Sequence, residues 1–190
     1  MGNYDLNALA RKKGTDRVIL DLGSSSAVSR QMEGSITVDI DKNSNADIAY
    51  DLNAYPYPFD NASVDVIHIS HCLEHLDNPI RFLEEAYRIL KYNGTMIVKV
   101  PHFSSATSFS SLLHKHYFGI NTLKDQYTPN YKFFQESVKL NYCVYRDTAF
   151  RKLVNGVMSS LANINVGFCE RIWCYWVGGF SEIEFALRKA

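Results

Sequence analysis

Residues 64–100 restrict what the chain can fold into more than any other stretch. Residues 64–70 form an apolar run suited to a strand buried on both faces. Asn78 is a helix cap and Pro79 fits the first helical position, while Ile80, Leu83, Tyr87 and Leu90 repeat on one helical face. Asn93-Gly94 ends that helix, and residues 95–100 follow at once as a second apolar strand. A strand, a helix and a strand in immediate succession make a crossover unit, whose two strands run parallel in one sheet.

Two earlier runs extend the sheet. Arg17-Val-Ile-Leu-Asp-Leu-Gly23 and Ser35-Ile-Thr-Val-Asp-Ile40 are short, apolar and β-branched, and each carries an aspartate near its carboxyl end. Later in the chain, residues 142–150 and 182–187 read as further strands with apolar helical segments between them. The fold class is therefore α/β, a doubly wound and mostly parallel sheet of the Rossmann-like kind.

Composition narrows the options. With 190 residues and 46% apolar content, one continuous core suffices, so residues 1–190 are read as a single domain. Lysine plus arginine equal aspartate plus glutamate at 20 each, which removes the broad basic field of a nucleic-acid binder. The four cysteines, Cys72, Cys143, Cys169 and Cys174, lack C-x-x-C spacing, and the first residues lack a secretory signature. The cytoplasm, with reduced thiols, is the expected compartment. No run approaches the roughly 20 apolar residues of a membrane span. The aromatic stretch 168–177 is expected to be buried under the sheet, with an oligomer or membrane-surface contact as the other reading.

In an open parallel sheet, ligands bind outside the carboxyl ends of the strands, where strand order reverses. Asp21, Gly23, Asp39, Ser70 and His102 all fall at or just beyond expected strand ends. Gly23 permits a sharp turn and a close backbone approach, and Asp39 suits a ribose diol, with Asp41 as neighbour. A dinucleotide would add a pyrophosphate and require G-x-G-x-x-G, whereas here the loop reads Gly23-Ser-Ser-Ser-Ala-Val-Ser29. The stretch between Gly23 and Ile36 is also too short for an ordinary crossover helix, so a nicotinamide oxidoreductase is disfavoured.

Several segments together resemble a known family: Val18-Ile-Leu-Asp-Leu-Gly23, Thr37-Val-Asp39, Asp51-Leu52, Pro58-Phe-Asp-Asn-Ala-Ser-Val-Asp65 and Ser70-His-Cys-Leu-Glu-His-Leu76. The likeness continues from Ala86 to His102. These segments are similar to class I S-adenosylmethionine-dependent methyltransferases of the type-11 group, including a subgroup with a shortened first crossover often linked to surface-polysaccharide pathways. The resemblance implies a seven-stranded sheet, with the cofactor half at about residues 17–102 and the acceptor half at about 103–190. It implies S-adenosylmethionine as cofactor, leaving as S-adenosylhomocysteine. Asp21 and Gly23 would then lie beside its methionine moiety, Asp39 at the ribose, Asp51 and the Leu52 backbone at the adenine edge, and Ser70 near the methionine end. The family usually has glycines where this chain has Ser25 and Ala27, and a non-catalytic S-adenosyl-binding module is the alternative function.

Methyl transfer from a sulfonium is an in-line displacement, so alignment and exclusion of water matter most. A hydroxyl acceptor could lose its proton to a neutral histidine. His71 and His102, following two strands, are the candidate bases ahead of His114 and His116, while His68 and His75 read as packing residues. The expected partner is a small-molecule or saccharide acceptor, stacked on a wall containing Phe103, Phe109, Tyr117, Phe118, Tyr127 and Tyr131. No metal is expected, because the histidines lack a spacing such as H-E-x-x-H. Oligomeric state is open.

Overall fold

The computed structural model describes residues 4–24, 32–124, 133–143, 148–176 and 179–190. Its centre is a seven-stranded sheet in the order β3-β2-β1-β4-β5-β7-β6. The strands are β1 (Ile19–Leu22), β2 (Ile36–Asp39), β3 (Ile48–Ala49), β4 (Val64–Ser70), β5 (Leu90–Pro101), β6 (Phe133–Asn141) and β7 (Glu182–Lys189), and the first four α-helices are α1 (Leu6–Lys12), α2 (Pro79–Ile89), α3 (Ala106–Ser110) and α4 (Ala149–Ile164). β1 to β5 are parallel, and β7 runs antiparallel between β5 and β6. Strand order reverses between β1 and β4, the point at which the sequence places its ligand crevice.

β4 is central because its sequence suits burial on both faces: only Asp65 is less than buried. It pairs with β1 through Ile19↔Val66 to Leu22↔Ile69, and with β5 through Val66↔Thr95 to Ser70↔Lys99. Helix α2 (Pro79–Ile89) crosses between β4 and β5, capped by Asn78 Oδ1, which accepts from the Arg81 amide. It buries Phe82, Leu83, Ala86 and Ile89. The helix ends before Asn93-Gly94, because Leu90 is already extended and paired with Val64. Residues 91–94 form an irregularity in the strand, with Asn93 in the left-handed region at φ 61°. Asp65 anchors this corner by accepting from the Val18 amide and the Lys91 ammonium, each at 2.8 Å.

Two expectations for the second half are corrected. Of residues 142–150, those described, 142–143 and 148–150, are not in a strand, while 144–147 lie outside the described residues: β6 ends at Asn141, and Thr148 caps helix α4 (Ala149–Ile164). The edge of β6 explains the arrangement, since an outer strand leaves main-chain groups in need of partners. Asn163 accepts from the Leu140 amide and donates to its carbonyl, Ser159 accepts from Tyr142, and Asn155 accepts from Cys143. Helix α4 thus turns a polar row inward and leaves Phe150, Leu153, Val157, Leu161 and Ile164 exposed.

The aromatic stretch beginning at 168 is likewise not buried under the sheet. It is helical, and Phe168, Ile172, Tyr175 and Trp176 are exposed, whereas Cys169 is buried. Among the described residues no helix is long and apolar enough to cross a membrane.

Ile69 is fully buried between Leu22 and Val98 in the centre of the sheet. Ile69→Ala is expected to cost about 2–5 kcal/mol through lost burial and the residual cavity. A urea unfolding curve checks this: its midpoint should fall while its slope is retained.

Candidate functional site

The carboxyl ends of the parallel strands bring Gly23, Asp39, Asp51, Leu52, Ser70, His71 and His102 to one edge of the sheet. At the reversal point Gly23 adopts φ 71°, a left-handed conformation that favours glycine. A Cβ there would stand 2.5 Å from Cys72 Sγ and 2.6 Å from Cys72 Cβ, so the β1 turn and the β4 loop touch through the missing side chain. Burial pushes the Cys72 thiol up to about 12, with the Glu74 and Asp39 charges acting in the same direction. Cys72 is therefore a neutral thiol, lying between groups from two strand ends.

Asp21 takes a different place from the one expected beside a ligand. It is fully buried, with one carboxylate oxygen 2.9 Å from His68 Nδ1 and the other accepting from the Met32 amide at 3.0 Å. Asp21 thus binds β1 to β4 and holds the far end of the first crossover. Asp39 remains at the end of β2, 5% exposed, with Oδ1 accepting from the Asp41 amide. Asp51 is exposed and caps a turn by accepting from Asn53, while the buried Leu52 accepts the Tyr57 hydroxyl on its carbonyl. Ser70, 2% exposed, ends β4. Ser25, Ala27, Tyr127 and Tyr131 lie outside the described residues.

The two candidate bases are both engaged. His71 has φ 52°, and its Nε2 lies 2.9 Å from Glu182 Oε2 with Nδ1 3.6 Å from Glu74 Oε1. Burial alone would lower its pKa, but these two carboxylates reverse the effect and raise it to about 9. His71 accordingly holds its proton at neutral pH, which is the wrong state for a general base. His102 is fully buried; Nδ1 meets Ser104 Oγ at 2.6 Å and Nε2 meets Glu170 Oε1 at 3.2 Å. Glu170 also accepts from the Ile120 amide, so His102 ties β5 to the segments that follow it. Both rings are thus held by carboxylates from later in the chain.

Sequence reasoning missed the carboxylates that decide these roles. Glu182 comes from β7 and Glu170 from the helical stretch after α4, both far from their histidines in the chain. Glu74 and His75 stood within Ser70-His-Cys-Leu-Glu-His-Leu76, and their adjacency after a strand end was the available signal. Beyond them lies a cavity of about 390 Å³ between the start of α2 and residues 116–123, lined among others by Asp77, Leu83, His116, Phe118 and Leu123.

Residues 20–98 match the model of a family described as "Methyltransferase domain". No curated protein sequence matches the chain. Among solved structures, an S-adenosylmethionine-dependent methyltransferase from Archaeoglobus fulgidus is similar at 21% identity and a TM-score of 0.55, over 96% of this chain and 92% of that one. Another from Mesorhizobium loti is similar at 12% identity and 0.55, over 96% of each chain. Phosphoethanolamine N-methyltransferase 2 of Haemonchus contortus, solved with S-adenosyl-L-methionine, gives 14% and 0.54 over 96% of this chain and 51% of that one. At these identities the structural likenesses speak for the fold.

Gly23→Ala combines left-handed strain with overpacking against Cys72 and is expected to cost roughly 2–4 kcal/mol. Gly34 also has positive φ, at 72°, but a Cβ there meets nothing closer than 3.6 Å. Gly34→Ala should cost only the strain, about 1–2 kcal/mol. Parallel urea titrations compare the two, and equal losses would mean that contact with Cys72 is not what requires Gly23.

Proposed function

We propose that the chain is a class I S-adenosylmethionine-dependent methyltransferase of the type-11 group, as the match of residues 20–98 to a methyltransferase-domain model supports, and that it methylates a hydroxyl of a small, saccharide-like acceptor. The single observation that carries the acceptor reading is a solvent-facing aromatic platform. Phe109 and Tyr117 stack with centroids 4.6 Å apart and planes at 19°, while remaining 65% and 48% exposed. Exposed rings stacked in near-parallel planes leave an outer face that suits a ligand with a flat apolar face and polar edges, as a sugar has. The adjoining cavity of about 390 Å³ has the size of a small-molecule site.

The cofactor residues fit the donor. Asp39 offers a buried carboxylate at a strand end, the Gly23 turn allows close main-chain approach, and Ser70 supplies a hydroxyl at the end of β4. These residues, with Asp51 and the Leu52 backbone at the next strand end, would hold the donor along the sheet edge. Asp21 supports that edge from beneath through His68. When bound, S-adenosylmethionine supplies a methyl group activated by its positive sulfur.

The protein's own task is then alignment. The strand-end residues Gly23, Asp39 and Ser70 would hold donor and acceptor in one frame, and apolar walls such as Leu83, Phe118 and Leu123 would keep water from the reacting line. His71 contributes a fixed positive charge between Glu74 and Glu182, and His102 contributes rigidity.

Thermal unfolding in the presence of S-adenosylmethionine, S-adenosylhomocysteine and NAD tests the donor. At 100 times its dissociation constant each S-adenosyl ligand should add about 2.7 kcal/mol, a rise of roughly 5–10 °C for a chain of this size. NAD should add nothing, and Asp39→Ala should abolish the rise. Labelled methyl transfer to a panel of hydroxylated sugars and of amines tests the acceptor. Label on amines alone would overturn the hydroxyl assignment.

A further inference from the structure

Three polar side chains at the acceptor side of the sheet edge, Glu74, His75 and His114, touch neither donor nor acceptor in the scheme above, which uses Glu74 only as a neighbour of His71. Glu74 is 1% exposed, yet neither carboxylate oxygen has a hydrogen-bond partner; its closest cation is His71 Nδ1 at 3.6 Å. His71 supplies charge at that distance but no hydrogen bond, and a buried carboxylate without hydrogen bonds is costly and calls for a further positive partner. His75 and His114 stand beside it with ring centroids 4.8 Å apart.

The two imidazoles are oriented in a particular way. His75 Nδ1 lies 3.1 Å from the Leu113 carbonyl and His114 Nδ1 lies 3.0 Å from the Ser108 carbonyl. A carbonyl can only accept, so each Nδ1 bears the hydrogen and each neutral ring presents the Nε2 lone pair. Nδ1–H donated to a main-chain carbonyl is the outer-shell arrangement that orients metal-ligating histidines. One donor atom from each of Glu74, His75 and His114 lies within 4.8 Å of the others.

We propose that Glu74, His75 and His114 bind a divalent first-row transition-metal cation. Tetrahedral ligand atoms at about 2.1 Å from a cation are roughly 3.4 Å apart, so a pair standing at 4.8 Å must close by about 1.4 Å on binding. Both histidines are half-buried, so one side of the cluster opens outward. Two nitrogens and one oxygen suit Zn²⁺, Co²⁺ or Mn²⁺ better than Mg²⁺ or Ca²⁺, which prefer oxygen alone. Three protein ligands leave positions for a further oxygen. Resting on the methyl-transfer reading, that oxygen is the acceptor hydroxyl. Coordination lowers its pKa and eases loss of its proton to water, which fills the place that His71 and His102 leave vacant.

The test is calorimetric titration of chelator-treated full-length protein with Zn²⁺, Co²⁺, Mn²⁺ and Mg²⁺, with S-adenosylhomocysteine titrated into the same samples. One equivalent of Zn²⁺ or Co²⁺ should bind, and Glu74→Gln and His114→Ala should each weaken it at least about tenfold. His116→Ala, whose ring bonds the Leu76 carbonyl outside the cluster, should leave it unchanged. Should a variant lose its fold, histidine ring ¹⁵N spectra of the unaltered protein decide, since Zn²⁺ must shift two of the six histidines at Nε2. No binding at millimolar metal, or binding that both variants retain, overturns the site. S-adenosylhomocysteine binding without metal binding removes the metal site alone. Metal binding without S-adenosylhomocysteine binding upholds the site and removes the donor reading instead.

Discussion

β1 and β4 lie side by side and parallel, and their register sets Asp21 directly opposite His68. Both residues are almost fully buried, and the 2.9 Å contact between them satisfies two polar groups that would otherwise be costly in the core. The same pairing carries the chain, two residues beyond Asp21, to Gly23 and, four residues beyond His68, to Cys72. Those two residues then meet at a distance that leaves no room for a side chain on the glycine. The crevice at the sheet edge is thus a consequence of how two strands are clamped. A slip of one residue would move Asp21 out of reach of His68 and leave both polar groups buried without each other.

Around that edge the histidines have been given distinct work by their carboxylate neighbours. His68 closes the strand pair, His71 is held positive between Glu74 and Glu182, and His102 joins β5 to Glu170. His75 and His114 have main-chain carbonyls on one nitrogen and stand beside Glu74. Residue type does not separate these roles; burial and the nature of the partner do. The antiparallel β7, inserted between β5 and β6, is what delivers Glu182 to His71 from the other end of the chain.

The cofactor half was readable because its signals are local. Apolar runs, Asn78-Pro79 at a helix start and aspartates at strand ends each reflect a few adjacent residues, and β1, β2, β4, α2 and β5 lie where those signals put them. The acceptor half was less readable. Helix α4 docks through Asn155, Ser159 and Asn163 on an edge strand and exposes its apolar residues, an inversion of the usual pattern that periodicity cannot orient. The same reversal defeated the expectation that the aromatic stretch beginning at 168 would be buried.

The sequence by itself determined the parallel α/β core, the sheet edge at which its strand-end residues gather and the likeness of residues 20–98 to a methyltransferase-domain model, because short-range periodicity and turn chemistry encode them. Only the tertiary structure decided which partners Asp21, His71 and His102 meet. Those partners are His68, Glu182, Glu74 and Glu170, and all but Glu74 are brought into contact by strand order and by the return of the chain after β6. A titratable group's behaviour is set by the charges and burial within a few ångströms, and that neighbourhood is assembled from residues that the linear order keeps apart.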